Sequence, residues 1–164
     1  MKRYLTMALA IMIVCMCFTP CLALAASADS LDLEEPYVKV AAVPLERGTL
    51  GSVSWSYARS PQLNFGDLEA NDSRLGATCF VTQGKTVLKV NRCTWDSGRT
   101  IFIGFLSLDG GQDYGVVYSS GHIQYVDIST ENMPTGNYAV WVKNKSEVKI
   151  LSGILDYEVI GGAA

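Results

Sequence analysis

The chain has 164 residues, of which 49% are hydrophobic and 18% charged. That size suits one domain, and the composition is too apolar and too weakly charged for intrinsic disorder. Lys and Arg number 13 against 16 Asp and Glu, a net charge of −3, which disfavours a general nucleic-acid binder because that class needs a basic surface.

Lys2 and Arg3 open the chain, and an uncharged apolar run from Leu5 to Phe18 follows. Pro20 breaks the run, and Ala23-Leu24-Ala25 supplies small residues at the two positions a signal peptidase reads. These are the three parts of a secretory signal peptide. The run is shorter than the roughly 20 residues that span a bilayer, so a membrane anchor is the weaker reading. None of Cys15, Cys17 and Cys21 follows the Leu-small-small pattern that lipidation needs. The sequence therefore predicts a signal peptide over 1–25, a loose acidic lead-in over 26–36 and a single domain over 37–164. The mature protein is expected outside the cell or at the cell envelope, without a membrane span.

Strand signals recur at short intervals through the rest of the chain. Tyr37 to Val43 is β-rich, and Pro44 is expected to end it. In Ser52 to Tyr57, Val53, Trp55 and Tyr57 alternate with serines, the pattern of a half-buried strand with its aromatics turned to the core. Arg59 to Arg74 reads as the longest irregular connection. Ala77–Thr82 and Thr86–Thr94 follow, joined around Gln83-Gly84. Thr100 to Leu108 is almost wholly apolar, as a central strand covered on both faces would be. Asp109-Gly110-Gly111 turns the chain into Tyr114–Ser119, and Ser120-Gly121 gives a further tight turn into His122–Ile128. Asn137–Lys143, Glu147–Leu151 and Ile154–Ile160 complete the set. About ten short strands and no helical period predict an all-β antiparallel sandwich or jelly roll.

Once Cys15, Cys17 and Cys21 leave with the signal, Cys79 and Cys93 remain, an even pair bound for an oxidising compartment. A disulfide between them is expected, and a loop of about 15 residues would make it worth about 3 kcal/mol. A tight hairpin at Thr82–Lys85 would instead set Cys79 opposite a residue near Leu88, so either the connection is looser or the two strands meet by another route, and two buried free thiols are the alternative.

The run Met133-Pro134-Thr135-Gly136-Asn137-Tyr138-Ala139-Val140-Trp141-Val142-Lys143-Asn144, followed by Glu147 to Val159, resembles the end of a pre-peptidase C-terminal type sandwich. In that family a Gly-x-Tyr enters a penultimate strand and the chain closes on a short hairpin. Small secreted proteins of Gram-positive bacteria carry similar endings. The resemblance covers the last part of the chain, implies a sandwich fold and extracellular or surface binding, and carries no catalytic residues.

Chemistry is sparse. His122 is the only histidine and sits beside a turn, where a solvated strand-edge side chain is the simpler reading. No Gly-x-Ser-x-Gly elbow, phosphate loop or zinc-ligand set is present. Asp67, Glu69 and Asp72 cluster in the irregular connection, and Asp109 and Asp113 bracket a glycine turn. A carboxylate-based hydrolase needs only two such acids. Asp109-Gly110-Gly111-Gln112-Asp113 also suits a calcium ion, which takes six to eight oxygen ligands. Among the aromatics, Trp95 lies in the turn-like Thr94-Trp95-Asp96-Ser97-Gly98, where a ring could meet a sugar, although a Trp packed beside a disulfide is the commoner outcome there. Trp95, Asp96, Tyr114 and Tyr118 are therefore the candidate ligand-binding residues, with Asp109 and Asp113 as candidate calcium ligands and no catalytic residue assigned. Asn71-Asp72-Ser73 and Asn144-Lys145-Ser146 fit the glycosylation sequon but read as polar turns in a bacterial protein. The sequence points to a secreted, non-enzymatic binding module for an extracellular glycan or protein. A structural or protective protein without a small ligand is the alternative, and a hydrolase a more distant one.

Overall fold

The computed structural model describes residues 37–46, 51–56 and 61–162. The expected signal peptide and lead-in, the lipidation question and Tyr57 lie outside them. Among the described residues there is no helix, and the strands are Val38–Ala41 (β1), Val43–Leu45 (β2), Val53–Trp55 (β3), Gln62–Asn64 (β4), Ser73–Val81 (β5) and Val87–Trp95 (β6). Ile101–Ser107 (β7), Asp113–Tyr118 (β8), His122–Ser129 (β9), Gly136–Asn144 (β10) and Gly153–Ile160 (β11) follow. They form a five-stranded sheet, β1-β9-β6-β11-β4, and a six-stranded sheet, β2-β8-β7-β10-β5-β3. Pairing is antiparallel except where β1 meets β9 and β3 meets β5. This is the expected all-β sandwich.

The core between the sheets is the sum of the alternations. Leu88 and Val90 of β6, Ile103 and Phe105 of β7, Tyr138, Val140 and Val142 of β10, and Leu155 and Tyr157 of β11 all join one buried cluster. The continuous apolar run of β7 has the cause anticipated for it, since Phe102 faces away from that core into a second buried cluster with Leu45, Leu75, Ala139 and Trp141.

Several local readings are corrected. Gln83-Gly84 and Ser120-Gly121 do not close hairpins; β5 and β6 lie in different sheets, as do β8 and β9, so these turns arch across the sandwich. The Asp109–Gly111 turn does join two neighbours, β7 and β8. Glu147–Leu151 forms no strand, only a single bridge from Ile150 to Leu68. The stretch read as an irregular connection contains β4 and the start of β5. Pro44 does not end the strand but sits inside β2, opposite Tyr114. It is tolerated there because β2 is an edge strand, where a missing N–H leaves no ladder bond unmade.

One side chain ties the sheets together. The β5–β10 register slips between Ala139 and Trp141, so Gly76 and Ala77 bulge against Val140. The bulge frees the Ala77 N–H, which donates to the Tyr157 hydroxyl of the facing sheet at 2.9 Å. Gly76 makes room for it, because a Cβ there would lie 2.5 Å from Tyr157 Oη. Tyr157→Phe is expected to cost about 1–2 kcal/mol through the abandoned N–H. Gly76→Ala should destabilise by about 1–3 kcal/mol through overpacking. In the Tyr157→Phe background the same Gly76→Ala change should cost at least about 1 kcal/mol less, as measured by a urea-unfolding double-mutant cycle.

The expected disulfide is absent: Cys79 and Cys93 are both free and buried. Cys79 is on β5 and Cys93 on β6, which belong to opposite sheets. Packed sheets stand about 10 Å apart, whereas a disulfide needs Cα atoms within about 7 Å. Cys93 also lies farther from the connecting arch than Cys79 does. Burial pushes the Cys79 thiol up to about 11, and burial together with nearby Asp156 raises that of Cys93 further. Thiolate reactivity should therefore be suppressed in the native fold. At pH 8, these two thiols should react with a thiol reagent only after denaturation, and reductant should leave the melting temperature unchanged. A native mass two hydrogens lighter than the dithiol would contradict this arrangement.

Candidate functional site

The two outward faces of the sandwich differ in chemistry. On the five-stranded sheet, register aligns Lys39, Asp127, Lys89 and Glu158 in one row across β1, β9, β6 and β11. The next row holds Gln124, Arg92, Asp156 and Gln62. Arg92 grips Asp156 Oδ2 through both Nε and Nη2, at 3.1 and 2.8 Å. This is a solvated, charge-alternating surface.

On the six-stranded sheet the corresponding row reads Val43, Gly115, Gly104, Trp141, Leu75 and Trp55 across every strand. Beside it run Val117, Phe102, Lys143, Ser73 and Val53. Phe102 lies over Gly115, where an added Cβ would meet its ring at 2.5 Å, and packs edge-on to Trp141 with centroids 4.8 Å apart. Phe102, Ala139 and Trp141 are fully buried. Around them Val43, Val53, Trp55, Phe80 and Val117 remain exposed, Trp55 at 47%. This face is therefore apolar from a solvent-closed centre to a partly exposed rim. Two donors buried within it, the Trp141 indole N–H and the Ser73 hydroxyl, have no hydrogen-bond partner.

The strand that carries Trp55 is held from one end of the sandwich. Asp72 accepts from the Ser52 N–H at 2.7 Å and from its hydroxyl at 2.8 Å, and the Ser73 N–H donates to the Ser52 carbonyl. Residues 71 and 72 are themselves fixed by backbone bonds to Asn144. The Asn144 amide, completely buried, donates to the carbonyls of Leu68, Glu69 and Val148 and accepts from the Ser146 N–H. The polar turn read at Asn144-Lys145-Ser146 is thus a buried junction, and its asparagine side chain does not reach solvent.

The structure scatters the residues singled out from sequence. Trp95 is not an exposed platform: it is 6% exposed, ends β6 on the inward face and donates its indole N–H to the Arg99 carbonyl at 2.8 Å. Asp96 accepts from Leu151 N at 2.5 Å and from the Ser152 hydroxyl at 2.8 Å, clasping the β10–β11 loop. Tyr114 is a core residue. Tyr118 packs against the core with its hydroxyl buried and unpartnered, and burial pushes that phenol up to about 12. Trp55 is the opposite case, expected in the core and found at the surface. Its alternation with serines was read correctly, but alternation does not say which face of an edge strand turns inward.

The acids disperse as well. Lys149 Nζ lies 3.4 Å from Asp67 and 3.0 Å from Glu69, while Asp72 holds Ser52. Asp109 accepts from the Asn137 N–H and amide, whereas Asp113 is fully buried and accepts from the Ser107 N–H at 2.9 Å. Among the described residues no three His, Cys, Asp or Glu side chains converge on a common centre. His122 is exposed at the start of β9.

No protein-family model matches the chain, and no curated protein matches it.

The Asp96 clasp has a pH signature. The Leu151 N–H, chiefly, holds its carboxyl below the usual range, with the Ser152 hydroxyl adding to this. A depressed folded-state value means stability present above about pH 4, the unfolded value, and lost as pH falls through the folded one. Asp96→Asn should therefore flatten the dependence of melting temperature on pH below about 4, while leaving the slope at pH 6–8 as in the wild type.

Proposed function

We propose that the protein is a secreted, non-enzymatic binding module whose outward six-stranded face docks a protein partner outside the cell or at the envelope. The observation that carries this reading is the apolar row ending at exposed Trp55, set against the charged rows of the opposite sheet. The rim residues Val43, Val53, Trp55, Phe80 and Val117 form a broad sheet face, with aromatic and aliphatic side chains around a close-packed centre. That composition suits the core of a protein–protein interface, where aromatic anchors dominate and charges are depleted. A non-enzymatic role is further supported by the loop acids, since Asp67, Glu69, Asp72, Asp96 and Asp109 are each engaged by a lysine or by backbone and side-chain donors of this chain. Export is inferred from the basic, apolar and small-residue series of the first 25 residues.

A photoreactive phenylalanine analogue placed at Trp55, and separately at Thr94 on the opposite face, tests this on the source cell surface. The expected result is one discrete protein adduct from position 55 and none from 94. Excess wild-type protein should compete it away, and Phe80→Asp should reduce it at least tenfold. Equal labelling from both faces, or none, would overturn the docking face and favour a structural or protective role.

A further inference from the structure

A second surface, on the charged sheet, carries a feature that neither packing nor solvation accounts for. Tyr125 sits in the middle of β9 with φ at +51°, a conformation that glycine or asparagine adopts readily and a bulky ring does not. The ladder explains where it occurs. Asn91 and Tyr125 face each other in an unbroken β6–β9 register, between the Arg92–Gln124 and Val90–Val126 pairs, and on its other side β6 slips by one residue against β11 at Asn91. It does not explain why a tyrosine fills the strained position, since Gly or Asn would fit the same bulge without cost.

What surrounds the ring is ordered. Tyr37 meets it edge-to-face with centroids 5.5 Å apart. The Tyr37 hydroxyl donates to Asn91 Oδ1 at 2.7 Å, and Lys89 Nζ stands 4.0 Å above the Tyr37 ring. Both rings are half-buried, so each keeps part of its surface in solvent. Gln124 and Arg92 are exposed in the adjoining row, Arg92 already oriented by Asp156. Asp127 lies in the row on the other side, with its Oδ1 buried and without a hydrogen-bond partner.

We propose that Tyr125, braced edge-to-face by Tyr37, is the stacking ring of a carbohydrate site, binding a neutral sugar chain laid across the outward face of the five-stranded sheet. Partly exposed rings held in place by neighbours offer a sugar ring its apolar face at low entropic cost. Fixed amide, guanidinium and carboxylate groups on either side can exchange hydrogen bonds with hydroxyls. The alternation of Lys39, Asp127, Lys89 and Glu158 leaves no field of one sign to attract a polyanion. This site is separate from the apolar face and does not depend on it.

The experiment measures retention of the purified full-length protein on insoluble cellulose, chitin and α-glucan. It compares wild type with Tyr125→Gly, Tyr125→Asn, Tyr125→Phe and Trp55→Ser. Tyr125→Gly and Tyr125→Asn relieve the backbone, so both should melt at or above the wild-type temperature while losing at least tenfold in glycan affinity. Tyr125→Phe keeps the ring and should bind within about twofold of wild type. Trp55→Ser should bind as wild type, which separates this site from the docking face. Failure of the wild type to bind any of the three glycans overturns the proposal. So does unchanged binding by folded Tyr125→Gly or Tyr125→Asn.

Discussion

The side chain of Asn144 is the constraint on which much of one end of the molecule rests. Three backbone carbonyls converge on its amide nitrogen and one N–H on its oxygen, in a place closed to water. Those groups belong to two long connections, β4–β5 and β10–β11, that are far apart in sequence and meet through a single bridge. The Leu68 carbonyl also accepts from the Ile150 N–H and that of Glu69 from the Asp72 N–H, so the amide adds a donor shared between the loops while its own buried polar atoms are satisfied in return. With the amide present, the loops close on each other, Leu68 bridges Ile150, and Lys149 comes within reach of Asp67 and Glu69. From the same junction residues 71 and 72 reach out to Ser52, and so the short strand bearing Trp55 acquires its place. An exposed aromatic at a sheet edge is thus positioned by an amide it does not touch.

The contrast between the two outward faces follows from how each sheet is built. The five-stranded sheet mostly alternates, apolar inward and polar or charged outward, with Ile154 and Ile160 the exposed apolar exceptions on β11. The six-stranded sheet is apolar on both sides, and its central strands β7 and β10 read as near-continuous hydrophobic runs for that reason. Gly115 leaves room on its outward surface for the Phe102 ring, and Gly104 lets β7 lie close against the β8 backbone at Tyr114 and Gly115. Burying charge there would be costly, and Lys143, the cation on that face, has its ammonium pushed below its ordinary value, chiefly by desolvation. A surface arranged in this way gains by association rather than by hydration.

Much of the fold was legible because it depends on period-two alternation. Ile101–Ser107, His122–Ser129, Gly136–Asn144 and Gly153–Ile160 announce themselves, and so does the all-β class. What was not legible depends on partners distant in sequence. Gln83-Gly84 has the residues of a hairpin turn, yet whether such a turn joins neighbours or arches between sheets is decided by where the following strand finds its ladder. The missing disulfide follows from that single ambiguity, because an arch places Cys79 and Cys93 in opposite layers. Trp55 and Trp95 exchanged roles for a related reason. Each lies at a strand end, and only the sheet position shows that β3 is an edge while the end of β6 is roofed by the arch at Arg99. Asn144 was invisible as a hub, since its sequence neighbours spell an ordinary turn and its acceptors come from elsewhere.

The bulges of the two sheets show how the same local irregularity can serve different ends. In β5 the bulge frees one N–H, and the facing sheet answers it with the Tyr157 hydroxyl while Gly76 stays small; nothing is left unsatisfied, and the result is a pin through the core. At Asn91 and Tyr125 the irregularity is answered only in part. Tyr37 satisfies Asn91, but Tyr125 remains in a strained conformation with its ring at the surface. Strain of this kind persists only where surrounding structure over-determines it, and the parallel edge strand β1, with Lys89 above Tyr37, supplies that restraint. A fold that relieves one bulge and holds the other under load differs in what it does at the two places. The relieved bulge keeps the sheets together, and the loaded one sets a ring outward at a fixed angle, the arrangement a binding surface requires and a merely stable sheet does not.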